Sequence, residues 1–164
     1  MLAGILSDIH DNLPNLERAL SELRSRDVET LCFLGDFCSP IPARLLAAYG
    51  GDVHCVFGNG DGDRFAIRGI TPPNGGSFVL HGEWAELELD GLAVALTHYP
   101  FYARALARTG DYAAVFSGHT HERHHERLGK TLWLNPGEIL GWKGAPSCAL
   151  WDTRRDAVEF LELA

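Results

Sequence analysis

The chain has 164 residues, enough for one domain with a substantial core but not for two of ordinary size. Hydrophobic residues make up 46% and charged residues 22%, as in ordinary globular proteins, and the formal net charge is −8. This charge disfavours nucleic acid as a partner, because a polyanion would meet a repulsive average field. We predict a single domain over residues 1–164, in which any phosphate site needs positive charge beyond its Lys and Arg.

The apolar N-terminal segment Leu2–Leu6 meets Asp8 almost at once, which makes it too short for a signal peptide core or a membrane span. The chain also has cysteines without CxxC spacing, which are Cys32, Cys38, Cys55 and Cys148. Free thiols in or beside apolar segments are typical of a reducing compartment. We therefore expect a cytoplasmic protein with no membrane partner.

Short apolar segments recur along the chain, and most end at a polar residue or a glycine, as buried strands do. The predicted strands among them are Leu2–Leu6, Leu31–Leu34, Val53–Phe57, Leu92–Leu96, Ala113–Phe116 and Leu132–Leu134. A helix is predicted from Leu13 to Leu23, after Asn12 as N-cap, because its leucines recur every three or four residues. Two further helices are predicted at Pro42–Tyr49 and Phe101–Arg108, and this alternation is typical of parallel βαβ units.

The second half contains two predicted hairpins. Asp90-Gly91 separates Trp84–Leu89 from the strand that follows, and a polar turn separates Ala149–Asp152 from Ala157–Leu163. Parallel units followed by hairpins predict an α/β fold with a mixed sheet or two packed sheets, and with helices outside.

Polar residues follow the predicted strands at their carboxyl ends, where parallel α/β sheets bind ligands. They comprise two carboxylates, one amide and four imidazoles, namely Asp8, His10, Asp36, Asn59, His98, His119 and His121. A mixed nitrogen and oxygen set of this size suits Mn, Fe, Zn, Ni or Co, and is more than one ion needs. Two such ions would polarise a phosphoryl group and supply the positive charge that the composition lacks.

These motifs, in this order, resemble the calcineurin-like metallophosphoesterases. The resemblance rests on Ser7–Asn12 (SDIHDN), Gly35-Asp36, Gly58–Asp61 (GNGD), His98 and Gly118–His121 (GHTH). The short length and the segment Asn135-Pro136-Gly137 are similar to the small phosphodiesterase branch of bacteria and archaea. The similarity covers about residues 1–140.

The resemblance implies a sandwich of two mostly mixed β-sheets with helices on the outer faces, and two divalent metal ions, manganese first. One ion would be held by Asp8, His10, Asp36 and His121. The other would be held by Asp36, Asn59, His98 and His119, so that Asp36 bridges the pair together with a water or hydroxide. Substrate contacts are expected from Asn59 and from Asn12, which also fits as a helix cap.

Three positions depart from the family pattern. Gly60 stands where many relatives carry a histidine that contacts the substrate and can protonate the leaving group. We therefore expect weak general acid catalysis for poor leaving groups. Glu122 follows the GHTH motif, where relatives often have a short apolar or proline-containing segment. Glu138 follows Asn135-Pro136-Gly137, where serine is common, and could either repel an anionic substrate or contact a histidine ligand.

The resemblance implies hydrolysis of a small phosphate ester by the metal-bridging hydroxide. A phosphodiester is favoured, because it carries one negative charge and Gly60 with its acidic neighbours offers little to a dianionic monoester. A phosphomonoesterase of the same family is one alternative. Another is a non-catalytic protein-binding scaffold, as the same fold serves in the retromer coat after losing some metal-binding residues; here every ligand position is filled, which favours an enzyme.

The remaining histidines and the tryptophans are assigned structural roles. His124 and His125 lie in a charged segment and are predicted to form a solvated loop or strand, and His54 and His81 have no partner motif. Core or edge packing is expected of the tryptophans Trp84, Trp133, Trp142 and Trp151. Apolar edge strands near Trp133 and Trp151 would permit a homodimer.

Overall fold

Two mixed β-sheets dominate the computed structural model, which describes residues 1–163. Along the described chain the elements are β1 (Leu2–Leu6), α1 (Leu13–Ser25), β2 (Thr30–Phe33), α2 (Pro40–Ala47), β3 (Asp52–Cys55), α3 (Arg64–Arg68), β4 (Ser77–Leu80), β5 (Trp84–Leu89), β6 (Leu92–Thr97), α4 (Pro100–Thr109), β7 (Ala114–Phe116), β8 (Arg123–Leu128), β9 (Thr131–Pro136), β10 (Ser147–Asp152) and β11 (Ala157–Glu162).

The first sheet has the strand order β11-β10-β1-β2-β3-β4, and the second has the order β5-β6-β7-β9-β8. Strands β1 to β4 run parallel, and the hairpin β10-β11 joins β1 antiparallel. In the second sheet β6, β7 and β9 run parallel, flanked by antiparallel β5 and β8. The parallel βαβ units and both hairpins predicted from the sequence are confirmed.

The sheets pack face to face through a buried apolar layer. Ile5 and Leu34 of the first sheet lie in one cluster with Leu96 and Phe116 of the second, and with Trp151. Helices α1 and α2 cover the outer face of the first sheet, and α4 packs on the outer face of the second through Ala103 and Ala107. This is the α/β sandwich with outer helices that the resemblance implied.

Helix α1 shows why this segment is helical. Asn12 Oδ1 accepts the backbone N–H of Asn15 at 3.2 Å, which caps the helix as predicted, and proline follows in the first turn. Its buried face contains Leu16, Leu20 and Leu23, so the leucine spacing is explained by contact with the first sheet. The cap holds the loop that carries Asp8 and His10 against the end of β1.

Some elements differ from the sequence expectations. Strand β4 and the short helix α3 were not predicted, and α2 begins earlier than expected because Ser39 caps it. Trp133 and Trp151 lie on the interior strands β9 and β10, and each of these strands pairs with an edge strand, β8 and β11 respectively. Edge strands therefore lie near both tryptophans as expected, but β8 (RHHERL) is charged and not apolar. Trp142 was expected to pack in the core or at an edge, but it lies in a loop and is 76% exposed.

None of the helices in residues 1–163 is long and apolar enough to cross a membrane. Cysteines 32, 55 and 148 are buried free thiols, as expected, and Cys38 is half-buried.

Candidate metal centre

The loops that follow β1, β2, β3, β6 and β7 meet at one end of the sandwich. The sheets are parallel at these strands, so their carboxyl ends share an edge, and the loops bring together all seven candidate ligands. Asp8, Asp36 and His98 are buried, whereas Asn59 and His119 are exposed at the mouth of the site. The site is therefore open to solvent on one side.

A first group of ligand atoms surrounds Asp8. His10 Nε2 lies 3.8 Å from Asp8 Oδ1 and 3.4 Å from Asp36 Oδ2. His121 Nε2 lies 3.4 Å from the same Asp8 oxygen. These four residues form one of the two groups that the resemblance implied.

A second group surrounds His98. Its Nε2 atom lies 3.5 Å from Asp36 Oδ2, 3.1 Å from Asn59 Oδ1 and 3.2 Å from His119 Nδ1. The opposite ring atom, His98 Nδ1, lies 2.7 Å from the carbonyl oxygen of Leu34. Because a carbonyl only accepts, Nδ1 donates this hydrogen bond, and the ring is held with Nε2 directed into the site.

Asp36 belongs to both groups. One oxygen, Oδ2, faces His10 and His98, and the other, Oδ1, accepts the backbone N–H of Gly60 at 2.6 Å. A carboxylate placed in this way could contact two cations at once. The bridging role that the resemblance implied for Asp36 stays a prediction.

Some ligand atoms of the site have no hydrogen-bond partner in the described chain, and cations could satisfy them. Asp8 Oδ1 and His10 Nε2 are buried and make no hydrogen bond with any atom of residues 1–163. A buried carboxylate oxygen without a partner costs free energy. Positive charge beside Asp8 Oδ1 would remove this cost, so the residues present fit divalent metal ions.

The backbone of the site is strained. Five of the seven candidate ligands have a positive φ, between 45° and 72°, which non-glycine residues rarely adopt; they are Asp8, His10, Asp36, His119 and His121. Such strain persists only where the surrounding structure enforces it, and it is concentrated at functional sites. The folded chain thus stabilises a backbone conformation that these residue types rarely adopt.

Two glycines allow the loops to approach closely. A Cβ at Gly58 would lie 2.1 Å from Asp36 Oδ1, and a Cβ at Gly118 would lie 1.9 Å from Ser7 Oγ. Both distances are well inside van der Waals contact, so any side chain would push the loops apart. The glycines in the GNGD and GHTH motifs are therefore explained by close packing of neighbouring loops.

Electrostatics favour the metal-coordinating forms of Asp8 and His119. Burial raises the pKa of Asp8, but the neighbouring imidazoles of His10 and His98 outweigh it, so the pKa lies below its usual value. Burial and the nearby His98 lower the pKa of His119. At neutral pH we therefore expect Asp8 ionised and His119 neutral, the forms that coordinate metals.

Glu138 is buried behind the site and contacts a candidate ligand. Its Oε2 atom lies 2.5 Å from His121 Nδ1, and Oε1 accepts the backbone N–H groups of Lys143 at 2.5 Å and Gly144 at 3.3 Å. Of the two roles left open by the sequence, contact with a histidine is the one observed. The contact leaves His121 Nε2 facing Asp8.

Asp61 was not predicted as a site residue, although it belongs to the GNGD motif. Its carboxylate accepts the backbone N–H groups of Gly58 at 2.7 Å, and of Asp36 and Cys38 at 3.1 Å each. It thereby ties the loop after β2 to the loop after β3. Its place in the motif was a signal, but only the fold reveals which N–H groups it accepts.

The remaining predicted residues lie as follows. Both polar atoms of the Asn12 amide make hydrogen bonds, because Oδ1 caps α1 and Nδ2 donates to the carbonyl of Leu140 at 2.9 Å. A contact between Asn12 and the substrate stays a prediction. His124 and His125 lie on the edge strand β8, where His124 packs on Trp133. His54 on β3 and His81, which directly follows the edge strand β4, hydrogen-bond to each other at 3.1 Å.

Comparison with known proteins identifies the family of the chain. The model of the calcineurin-like phosphoesterase superfamily domain matches residues 1–156. Phosphodiesterase MJ0936 of Methanocaldococcus jannaschii is 30% identical over 158 residues, covering 94% of this chain and 95% of that protein. Phosphodiesterase YfcE of Escherichia coli K12 is 24% identical over 172 residues, covering 96% and 89% respectively.

A solved structure of an archaeal phosphodiesterase superposes on the chain with a TM-score of 0.89 at 29% identity, covering 99% of this chain and 100% of that one. The superposition includes both sheets and all the strand ends that carry the candidate ligands. With a family match that runs through every one of these strand ends, the chain belongs to the calcineurin-like phosphoesterase superfamily.

Proposed function

We propose that this protein is a phosphodiesterase that acts with two divalent metal ions. The observation that carries the proposal is the shared carboxylate, because Asp36 Oδ2 lies 3.4 Å from His10 Nε2 and 3.5 Å from His98 Nε2. One group of ligand atoms lies on each side of that oxygen. The names of the relatives MJ0936 and YfcE support the same activity.

In this proposal each ion is held by four side chains. The first is held by Asp8, His10, Asp36 and His121, and the second by Asp36, Asn59, His98 and His119. Manganese is the first expectation for both, with Fe, Zn, Ni and Co as alternatives, because imidazole and carboxylate ligands suit all of them. When bound, the ions supply positive charge for the phosphoryl oxygens and lower the pKa of a bound water.

The chain's own residues orient the substrate and limit its chemistry. The Asn59 amide is exposed at the mouth, with Oδ1 toward His98, so its NH₂ group can donate to a phosphoryl oxygen. Gly60 offers a backbone N–H, already bonded to Asp36, and no side chain that could protonate a leaving group. We therefore expect rates to depend strongly on the leaving group, with activated esters cleaved fastest.

Charge and shape around the site favour a diester. Trp142 lies with its ring 6.1 Å from that of His121, and Tyr99 lies with its ring 5.5 Å from that of His119. One aromatic side chain therefore lies beside a ligand of each group, and we expect these rings to contact the two carbon substituents of a diester. A monoester would instead bring a second negative charge toward a protein with a net charge of −8.

The test compares a diester with its matched monoester. Metal-stripped protein is assayed with bis(4-nitrophenyl) phosphate and with 4-nitrophenyl phosphate, before and after addition of Mn²⁺. We expect activity only with metal, and a kcat/KM for the diester about tenfold above that for the monoester, since one extra charge in this setting costs about 1 kcal/mol or more. A preference for the monoester would indicate a phosphomonoesterase, and stoichiometric metal binding without turnover of either ester would indicate a scaffold.

Glu138 is expected to tune metal affinity through His121. The variant Glu138→Gln keeps the size of the side chain but removes the charge that polarises the imidazole, so Mn²⁺ affinity should fall about 10–100-fold. The affinity is measured by competition with a fluorescent chelator, and circular dichroism checks the fold. Glu122→Gln is the matched control, because Glu122 is exposed next to the same loop; equal affinities in the two variants would exclude the role of Glu138.

A further inference from the structure

An apolar pocket of about 490 Å³ opens beside the candidate metal centre, between the second sheet and α4. Its walls are mostly carbon and are formed by Trp84, Thr97, Tyr99, Tyr102, Ala105 and Leu106. Pockets of this size are typical of sites for small molecules. Two of its aromatic side chains are unusually open, since Trp84 is 53% and Tyr102 is 56% exposed.

The pocket shares a wall with the site. Tyr99 directly follows His98 in the chain, and its ring centroid lies 5.1 Å from that of His98 and 5.5 Å from that of His119. The other side of the same wall continues to Tyr102, whose ring lies 5.9 Å from that of Tyr99. The Tyr99 ring therefore lies between the imidazoles of the site and the pocket, and the pocket is adjacent to any phosphate held near His119.

Two polar side chains of the pocket, Thr97 and Glu83, already have partners. Thr97 Oγ1 accepts the backbone N–H of Tyr99 at 3.3 Å. Glu83 at the rim is paired with Arg64, which also donates to the carbonyl of Gly58 at 2.8 Å. The pocket thus offers ring faces and aliphatic carbon to a ligand, and the carboxylate at its rim disfavours a second anionic group.

We propose that this pocket binds an aromatic ring esterified to the phosphate, which makes aryl phosphodiesters the substrate class. The inference rests on the proposed function, because it places the phosphate at the seven candidate ligands. Trp84 and Tyr102 contact the ring of the substrate, and Tyr99 lies between that ring and the imidazoles. An aliphatic ester gains less from these residues, because it cannot stack on them.

The test measures binding and not turnover. Phenylphosphonate and methylphosphonate resist hydrolysis, and at a pH above the second pKa of both they carry the same dianionic head group, so that the difference between their affinities reports on the ring. Isothermal titration calorimetry of each against the Mn²⁺-loaded protein should show phenylphosphonate binding about tenfold more tightly, the usual contribution of one stacked ring. The double variant Trp84→Ala/Tyr102→Ala should reduce this ratio to about one.

Phe101→Ala is the matched control. Phe101 is 80% exposed on the same helix but does not line the pocket, so the ratio should stay at its wild-type value. A wild-type ratio near one, no binding of either phosphonate, or a ratio that survives the double variant would overturn the inference. The inference would also be overturned if sedimentation showed that the double variant dissociates a dimer while the affinity ratio stays unchanged. The pocket would then be an interface between two copies of the protein.

Failure of this inference is distinguishable from failure of the proposed function. Diester hydrolysis together with equal affinities for the two phosphonates rejects the aromatic pocket alone. A tenfold ratio without hydrolysis of any ester rejects the enzymatic proposal and leaves ring binding in place.

Discussion

Asp36→Asn is expected to lower kcat/KM for a diester by about 10³-fold, because the loss of a shared ligand removes several kcal/mol of transition-state stabilisation. Asparagine keeps the shape of the side chain, and its oxygen can still accept the N–H of Gly60. Its NH₂ group would replace Oδ2, the oxygen that lies nearest His10 and His98, and an NH₂ group cannot coordinate a cation. The variant should therefore bind fewer metal ions and yet fold, and its metal-free form should melt no lower than the wild type.

The measurements are steady-state hydrolysis, metal content after dialysis, and thermal unfolding of the metal-free protein. Asp11→Asn is the matched control, since Asp11 is an exposed carboxylate that accepts the Ser39 hydroxyl, and its loss should leave metal content unchanged. Two bound ions and normal turnover in Asp36→Asn would refute the shared-ligand assignment.

Metal binding is expected to raise the midpoint of thermal unfolding by about 8–16 °C. A ligand present at about a thousand times its dissociation constant stabilises the folded state by about 4 kcal/mol. For a chain of this size each kcal/mol shifts Tm by about 2–4 °C. The gain is expected because bound cations would satisfy Asp8 Oδ1 and His10 Nε2, which are buried without a hydrogen bond.

The shift is read by scanning calorimetry of metal-stripped protein with and without excess Mn²⁺, followed by EDTA. EDTA should reverse it, and Asp36→Asn should lose at least half of it. An equal rise in Asp36→Asn, or none in the wild type, would show that these residues do not hold the metal.

The candidate ligands were predictable because their signal is local. Each one follows an apolar segment, and a strand end fixes the position of the residues just after it, as for Asp8 after β1 and His98 after β6. The leucine spacing of α1 and the Asp90-Gly91 turn were readable for the same reason. The identities of the ligands then limited the chemistry to divalent cations.

Short elements without a periodic pattern were not predictable. Helix α3 has five residues, and β4 lies in a glycine- and proline-rich region, so packing against β3 rather than local preference decides its state. The sequence did not show which strands near Trp133 and Trp151 form the sheet edges, because strand order depends on contacts between distant segments. Periodicity shows which face of a strand is buried but not which strand pairs beside it.

The sequence alone determined the fold class, the family and the seven residues at the strand ends, because these depend on residue types and their order. Only the tertiary structure decided that Asp36 faces both groups of ligand atoms, that Glu138 contacts His121, and that Tyr99 joins the site to an aromatic pocket. These are contacts between loops far apart in the chain. Their distances follow from how the two sheets pack, which no local pattern encodes.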